Sequence, residues 1–162
     1  MADRDPPRRF VPLHRAARYL ATISCCATAY RESDGDWTER LAEDMRYAIV
    51  AGDIRTRGHR KDPNQMVERA VTDIGAPFWD RAEWDVGLVT AAEPVHIIRR
   101  SYGEGDEFWF VALDEEQLHA RWPRASWLAR LSGRSPLKPL RACAATWAAQ
   151  DKAYAKIATG NT

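Results

Sequence analysis

The stretch Val95-His96-Ile97-Ile98-Arg99-Arg100-Ser101-Tyr102, then Gly103-Glu104-Gly105-Asp106, then Glu107-Phe108-Trp109-Phe110-Val111-Ala112-Leu113-Asp114, decides the fold class. β-Branched and aromatic residues dominate both arms, and turn formers separate them, so the arms read as the paired strands of a hairpin. Asp114 is placed to cap a short helix running through Arg121, which Pro123 ends.

Working toward the N-terminus, Asp85 to Thr90 reads as another strand, and Ile74 to Trp84 as an irregular segment pinned by Phe78, Trp79 and Trp84. Asp62-Pro63-Asn64 is a turn, with Gln65 to Val71 either a short helix or an extended segment. A short strand is expected at Ile54 to Thr56. Before it, Trp37, Leu41, Met45 and Ile49 recur every four residues beside Ala48, which makes one apolar helical stripe. Asp36 and Glu39 have capping-box spacing at its start, and Gly52 supplies the left-handed residue at its end. Leu13, Ala16, Ala17, Leu20 and Ile23 predict an earlier helix opening at Pro12 and running to about Ala29, with Arg15 and Arg18 toward solvent.

Toward the C-terminus, Ser126 to Leu131 reads as a turn or two of helix and Ser135 to Pro139 as a linker. Leu140, Cys143, Ala144, Trp147, Tyr154 and Ala158 then keep helical spacing up to Gly160. The expected fold is α+β: a single compact domain with an N-terminal helix pair, a central antiparallel hairpin or small sheet, and a C-terminal helix. Residues 1–9 form a flexible arm bearing both charges, 10–134 the core, and 135–162 the C-terminal helix packed on that core. Leu20, Leu41, Met45, Ile49, Trp109 and Trp147 are expected to be buried.

At 162 residues the chain is long enough to bury a core without covalent staples. Its net charge of +1 argues against a uniformly basic coat but allows a local basic face. The apolar stretch Tyr19 to Tyr30, after Arg8-Arg9 and before Ala27-Thr28-Ala29, imitates an export signal. Arg15, Arg18 and the helical spacing argue instead for a core helix and a cytoplasmic protein. No apolar run reaches the roughly 20 residues that span a bilayer, so no membrane partner is expected. Cys25, Cys26 and Cys143 read as reduced, inert thiols on apolar helices.

Catalytic signatures are missing from the chain. His14, His59, His96 and His119 stand at no metal-binding interval, and Glu115 with His119 supplies two ligands of one helix turn, too few for a site. Gly103-Glu104-Gly105 lacks the Gly-Lys-Ser/Thr of a phosphate loop, and no Gly-x-Ser-x-Gly elbow exposes a serine. The acids Glu104, Asp106, Glu107, Asp114, Glu115 and Glu116 are explained by a turn and a helix N-terminus, where negative charge offsets the macrodipole. We expect no catalytic residue, no metal and no cofactor, and a metal-dependent hydrolase is the least favoured reading.

The basic residues carry more information. Arg55, Arg57, Arg60 and Lys61 crowd one short segment, and Arg121, Arg124, Arg130 and Arg134 fall in a second, with Lys138 and Arg141 beyond, where no acid intervenes. Arginine forks suit phosphates and carboxylates, and Trp122 and Trp127 are interleaved with the second block. These eight residues are the expected contacts to nucleic acid or to an acidic protein surface. The first partner makes the protein a nucleic-acid-associated regulatory or accessory protein, and the second a protein-interaction module such as an inhibitor or adaptor. Two helices, a short strand and an aromatic hairpin are also the parts of a winged-helix module, with the hairpin as wing. The second helix nevertheless exposes Glu39, Glu43 and Asp44 beside Arg40 and Arg46, which disfavours it as a groove reader.

Overall fold

A computed structural model describes residues 7–24, 37–61, 67, 69–83, 91–100, 107–123 and 138–160. Within them the protein is a mixed α+β domain with an antiparallel six-stranded sheet and a long C-terminal helix. In chain order come β1 (Phe10–Pro12), α1 (Leu13–Ser24), α2 (Trp37–Val50), β2 (Thr56–Lys61), β3 (Val71–Ile74), α3 (Ala76–Trp79) and β4 (Ala82–Glu83). β5 (Ile97–Arg100), β6 (Glu107–Asp114), α4 (Glu115–Arg121) and α5 (Lys138–Ala158) follow.

The helices form where local signals are strong. α1 buries Leu13, Ala16, Ala17, Leu20 and Ala21 at three- and four-residue spacing, and α2 buries Leu41, Ala42, Met45, Ala48 and Ile49 in the same way. Gly52, at φ +83°, ends α2 as expected. Its N–H donates to the Ile49 carbonyl at 3.0 Å while the Asp53 N–H reaches back to Ala48 at 2.9 Å, the paired closure of a Schellman motif. The Asp114 carboxylate accepts from the Gln117 N–H at 3.1 Å, which caps α4, and Gly160, at φ +68°, stands just past α5.

The strands run in the order β3-β2-β6-β5-β4. β6 is the central member: β2 pairs along one of its edges, while β5 (at residues 107–109) and β1 (at 112–114) share the other. Thr56, Gly58, Ile74, Ile98, Phe108, Val111 and Leu113 are buried on the face that meets the helices. There Phe78 packs edge-on against Phe108, and the Trp79 indole N–H donates to the Thr56 hydroxyl at 2.7 Å.

Several expectations need correction. Phe10 to Pro12 is a strand and the helix opens after it at Leu13 rather than at Pro12, because β6 offers the segment an unpaired edge beyond the end of β5. The basic segment after α2 is a sheet strand, β2, and Ile54, buried, precedes it. The irregular aromatic segment contains α3 and β4, with Pro77 in the first turn of α3. The β5–β6 hairpin is no projecting wing, since β6 is paired on both edges. Trp109 and Trp147 are half-buried rather than core, whereas Leu20, Leu41, Met45 and Ile49 are buried as expected. Arg18 turns inward instead of toward solvent and binds α5. The Asp36 cap, the 85–90 strand, the 103–106 turn and the 126–131 helix lie outside the described residues, as do Cys25 and Cys26. The side chain of Cys143 is also outside them.

Candidate nucleic-acid interface

Strand alternation assigns the basic residues of β2 to different surfaces. Arg57, His59 and Lys61 lie opposite Ala112, Trp109 and Glu107 of β6, on the face directed away from the core helices. Arg60 lies opposite Phe108 at the exposed end of the other face. The sheet face away from α1 and α2, which α5 reaches where Tyr154 meets Phe110, therefore carries Phe10 from β1, Arg57, His59 and Lys61 from β2, Glu107 and Trp109 from β6, and Ile97 and Arg99 from β5.

Cations and aromatics on this face are stacked in pairs. The Arg57 guanidinium lies 3.8 Å from the centre of the Phe10 ring, and the Lys61 ammonium 4.9 Å from that of Trp109. Glu107 ties the second pair together: its carboxylate accepts from Arg99 at 2.7 Å, lies 3.6 Å from Lys61, and accepts from the Trp109 indole N–H. Burial pushes this carboxyl up. The indole hydrogen bond and the charges of Arg99 and Lys61 outweigh that and hold it below the ordinary glutamate range. At the far end of the face, Arg8 reaches the Asp114 carboxylate at 3.3 Å.

In both ion pairs the acid is recessed and the cation outward. The Glu107 side chain is 17% exposed against 65% for Arg99, and that of Asp114 is 2% exposed against 42% for Arg8. Within each pair the cation is therefore the outermost charge, while Glu83, opposite Arg99 on β4, is an exposed acid on the same face. Asp73, opposite Arg57 on β3, is an exposed acid beside them.

Two of the expected basic residues are brought together at one end of the sheet. Asp53 lies 3.5 Å from Arg121, and the Arg55 N–H donates to the Gln117 side chain at 2.7 Å, so the start of β2 and the end of α4 meet. Lys61 stands at the opposite end of β2. Arg124, Arg130 and Arg134 lie outside the described residues. The acidic partners Glu107 and Asp53 thus engage part of both basic blocks without enclosing them.

Between the two aromatic pairs, β6 is irregular. Ala112 to Trp109 spans three steps against the two of Arg57 to His59, so β6 carries an extra residue there. Phe110 takes φ +53°, a conformation that costs a non-glycine residue about 1–3 kcal/mol. Its ring is met by His59, His96, Trp109 and Tyr154. Sequence reading missed Phe10, His59, Arg99 and Phe110 as members of this surface. Alternation within Arg57-Gly58-His59-Arg60-Lys61 was the available signal for His59.

Among the described residues, no group of three or more His, Cys, Asp or Glu side chains is placed to hold a metal ion, and no helix is long and apolar enough to cross a membrane. His119, the residue spaced with Glu115, packs against Tyr19 with ring centres 4.6 Å apart and the rings tilted by 48°. Comparison with known proteins returns no match of this chain to a family model, to a curated protein or to a solved structure.

Proposed function

We propose that this protein is a nucleic-acid-binding accessory protein whose cationic sheet face meets the phosphate backbone. The carrying observation is the arrangement of Arg8, Arg57, Lys61 and Arg99, outward over aromatic rings or over recessed acids. Such cations attract a polyanion and release its counterions, a sequence-independent source of affinity. Arg55 is exposed just before β2, whereas Arg121 is offset by Asp53, an acid as exposed as itself.

The test is fluorescence anisotropy with labelled DNA and RNA at two salt concentrations. Binding should weaken steeply with salt, and each removed phosphate contact should lower the salt slope by about one. Reversal of Arg57 and Lys61 together to Glu should abolish most of the affinity. Unchanged binding by that variant would move the affinity elsewhere.

A protein partner is the second reading, favoured by Tyr47. It is 74% exposed on α2, near Arg46 and the exposed Val50, and Tyr and Arg are preferred interface anchors. Failure of the unmodified protein to bind any nucleic acid at low salt would promote this reading.

A further inference from the structure

We infer that the nucleic acid taken by this face is a single strand whose bases stack on Trp109 and Phe10, displacing the Lys61 and Arg57 cations that cover those rings. The inference rests on the nucleic-acid reading above and adds to it the form of the ligand.

Shape argues first. Five strands side by side, at about 4.8 Å each, make a face roughly 19 Å across, whereas the B-DNA major groove is about 12 Å wide. The face is too broad to enter a groove, so a duplex would touch it through phosphates alone. The helices offer little for groove reading. α2 turns Glu39, Glu43 and Asp44 outward beside Arg40, acids that repel a duplex backbone, and the described exposed side of α5 is mostly alanine, with only Lys152 and Lys156 long enough to reach a base edge.

Chemistry argues second. Half-buried aromatic rings beside cations are the combination that holds single strands without sequence preference, because every base has a π-face. Here each ring already carries a cation on it. A base arriving on Trp109 or Phe10 replaces that cation on the ring and leaves it beside the phosphate of the same strand, so the exchange keeps both charges satisfied. Arg57, His59 and Lys61 follow one another on this face at about 6.7 Å along β2, a row of donors with which an extended backbone can run parallel.

The experiment compares a labelled single-stranded oligothymidine, a single-stranded oligouridine and a DNA hairpin duplex by anisotropy at one salt concentration. In parallel, Trp109→Ala and Trp109→Phe are measured, with circular dichroism to confirm folding. The single strands should bind at least tenfold tighter than the duplex. Trp109→Ala should weaken single-strand binding about 5- to 100-fold with an unchanged salt slope, and Trp109→Phe should restore part of it. Arg57→Gln, in contrast, should lower the slope. Duplex binding as tight as single-strand binding overturns the inference and leaves the nucleic-acid reading standing, as does a folded Trp109→Ala variant of full affinity. Should Trp109→Ala not fold, the strand preference of the unmodified protein and the Trp109→Phe affinity decide. Binding of none of the three at low salt overturns both.

Discussion

Gly58 and Trp109 approach so closely across the β2–β6 ladder that a methyl group on Gly58 would stand 3.1 Å from the Trp109 carbonyl oxygen. It would also meet the Ile74 side chain at 3.3 Å and the Phe108 Cβ at 3.4 Å. The close approach occurs where β6 carries its extra residue, and it sets where Trp109 stands on the candidate face. Because the nearest atom is backbone, relief requires the strands to move. Gly58→Ala should therefore destabilise by about 1–3 kcal/mol in chemical denaturation. Gly75→Ala, whose nearest neighbour is the Pro77 ring at 3.6 Å, serves as control and should cost less.

His14 provides a pH dependence. It is fully buried in α1, packs against Tyr154 with ring centres 4.7 Å apart, and among the described residues neither ring nitrogen has a well-aligned hydrogen bond, Nε2 reaching only the Asp151 carboxylate at 3.5 Å. Burial and the neighbouring Arg18 charge lower its pKa from 6.5 to about 4, although Asp151, 3.5 Å away, partly opposes them. The unfolded chain therefore binds this proton more readily than the folded one. The contribution of His14 to stability is complete above pH 6.5 and is lost as the pH falls to about 4, by up to about 3 kcal/mol. Thermal melts between pH 7.5 and 4.5 should show this loss, and His14→Phe should remove much of it. An equal loss in that variant would assign the dependence to other groups.

Arg18 ties α5 to α1. Its guanidinium donates to the Gln150 side chain at 2.9 and 3.0 Å, to Asp151 at 3.0 Å and to the Trp147 carbonyl at 2.9 Å. Its side chain is 12% exposed, and Gln150 is fully buried and also donates to the Ala91 carbonyl at 2.6 Å. Arg18→Ala leaves Gln150 and Asp151 with fewer partners and should cost about 2–5 kcal/mol. Arg15 meets the same Asp151 from a side chain 55% exposed, so Arg15→Ala should cost less than about 1 kcal/mol. Denaturation midpoints of the two variants check the contrast.

Leu41 and Ile49 test the α2 stripe. Both are buried against the same core as Leu20 and Val111. Leu41→Ala and Ile49→Ala should each destabilise by about 2–5 kcal/mol, while Glu43→Ala on the exposed side should change stability by less than about 0.5 kcal/mol. Equal effects at all three positions would contradict the helix phase.

The sequence by itself determined the elements whose signals are local. The α2 stripe and its Gly52 closure, the Asp114 cap of α4, the aromatic arm Glu107 to Leu113 and the last helix before Gly160 all rest on spacing and turn chemistry within a few residues. Only the tertiary structure decided that Thr56 to Lys61, a run with no large apolar residue, is a strand next to the centre of the sheet. Its strand state comes from hydrogen bonding to β6 and β3, and partners some fifty residues away in β6 leave no periodic trace in β2 itself. The same long-range pairing set Phe10 under Arg57, placed Trp109 under Lys61 on the face away from the core, and drew Arg18 in to α5. It also decided that Arg8, Lys61 and Arg99 lie outward of their acids. That is a property of relative depth, which a linear charge pattern does not contain.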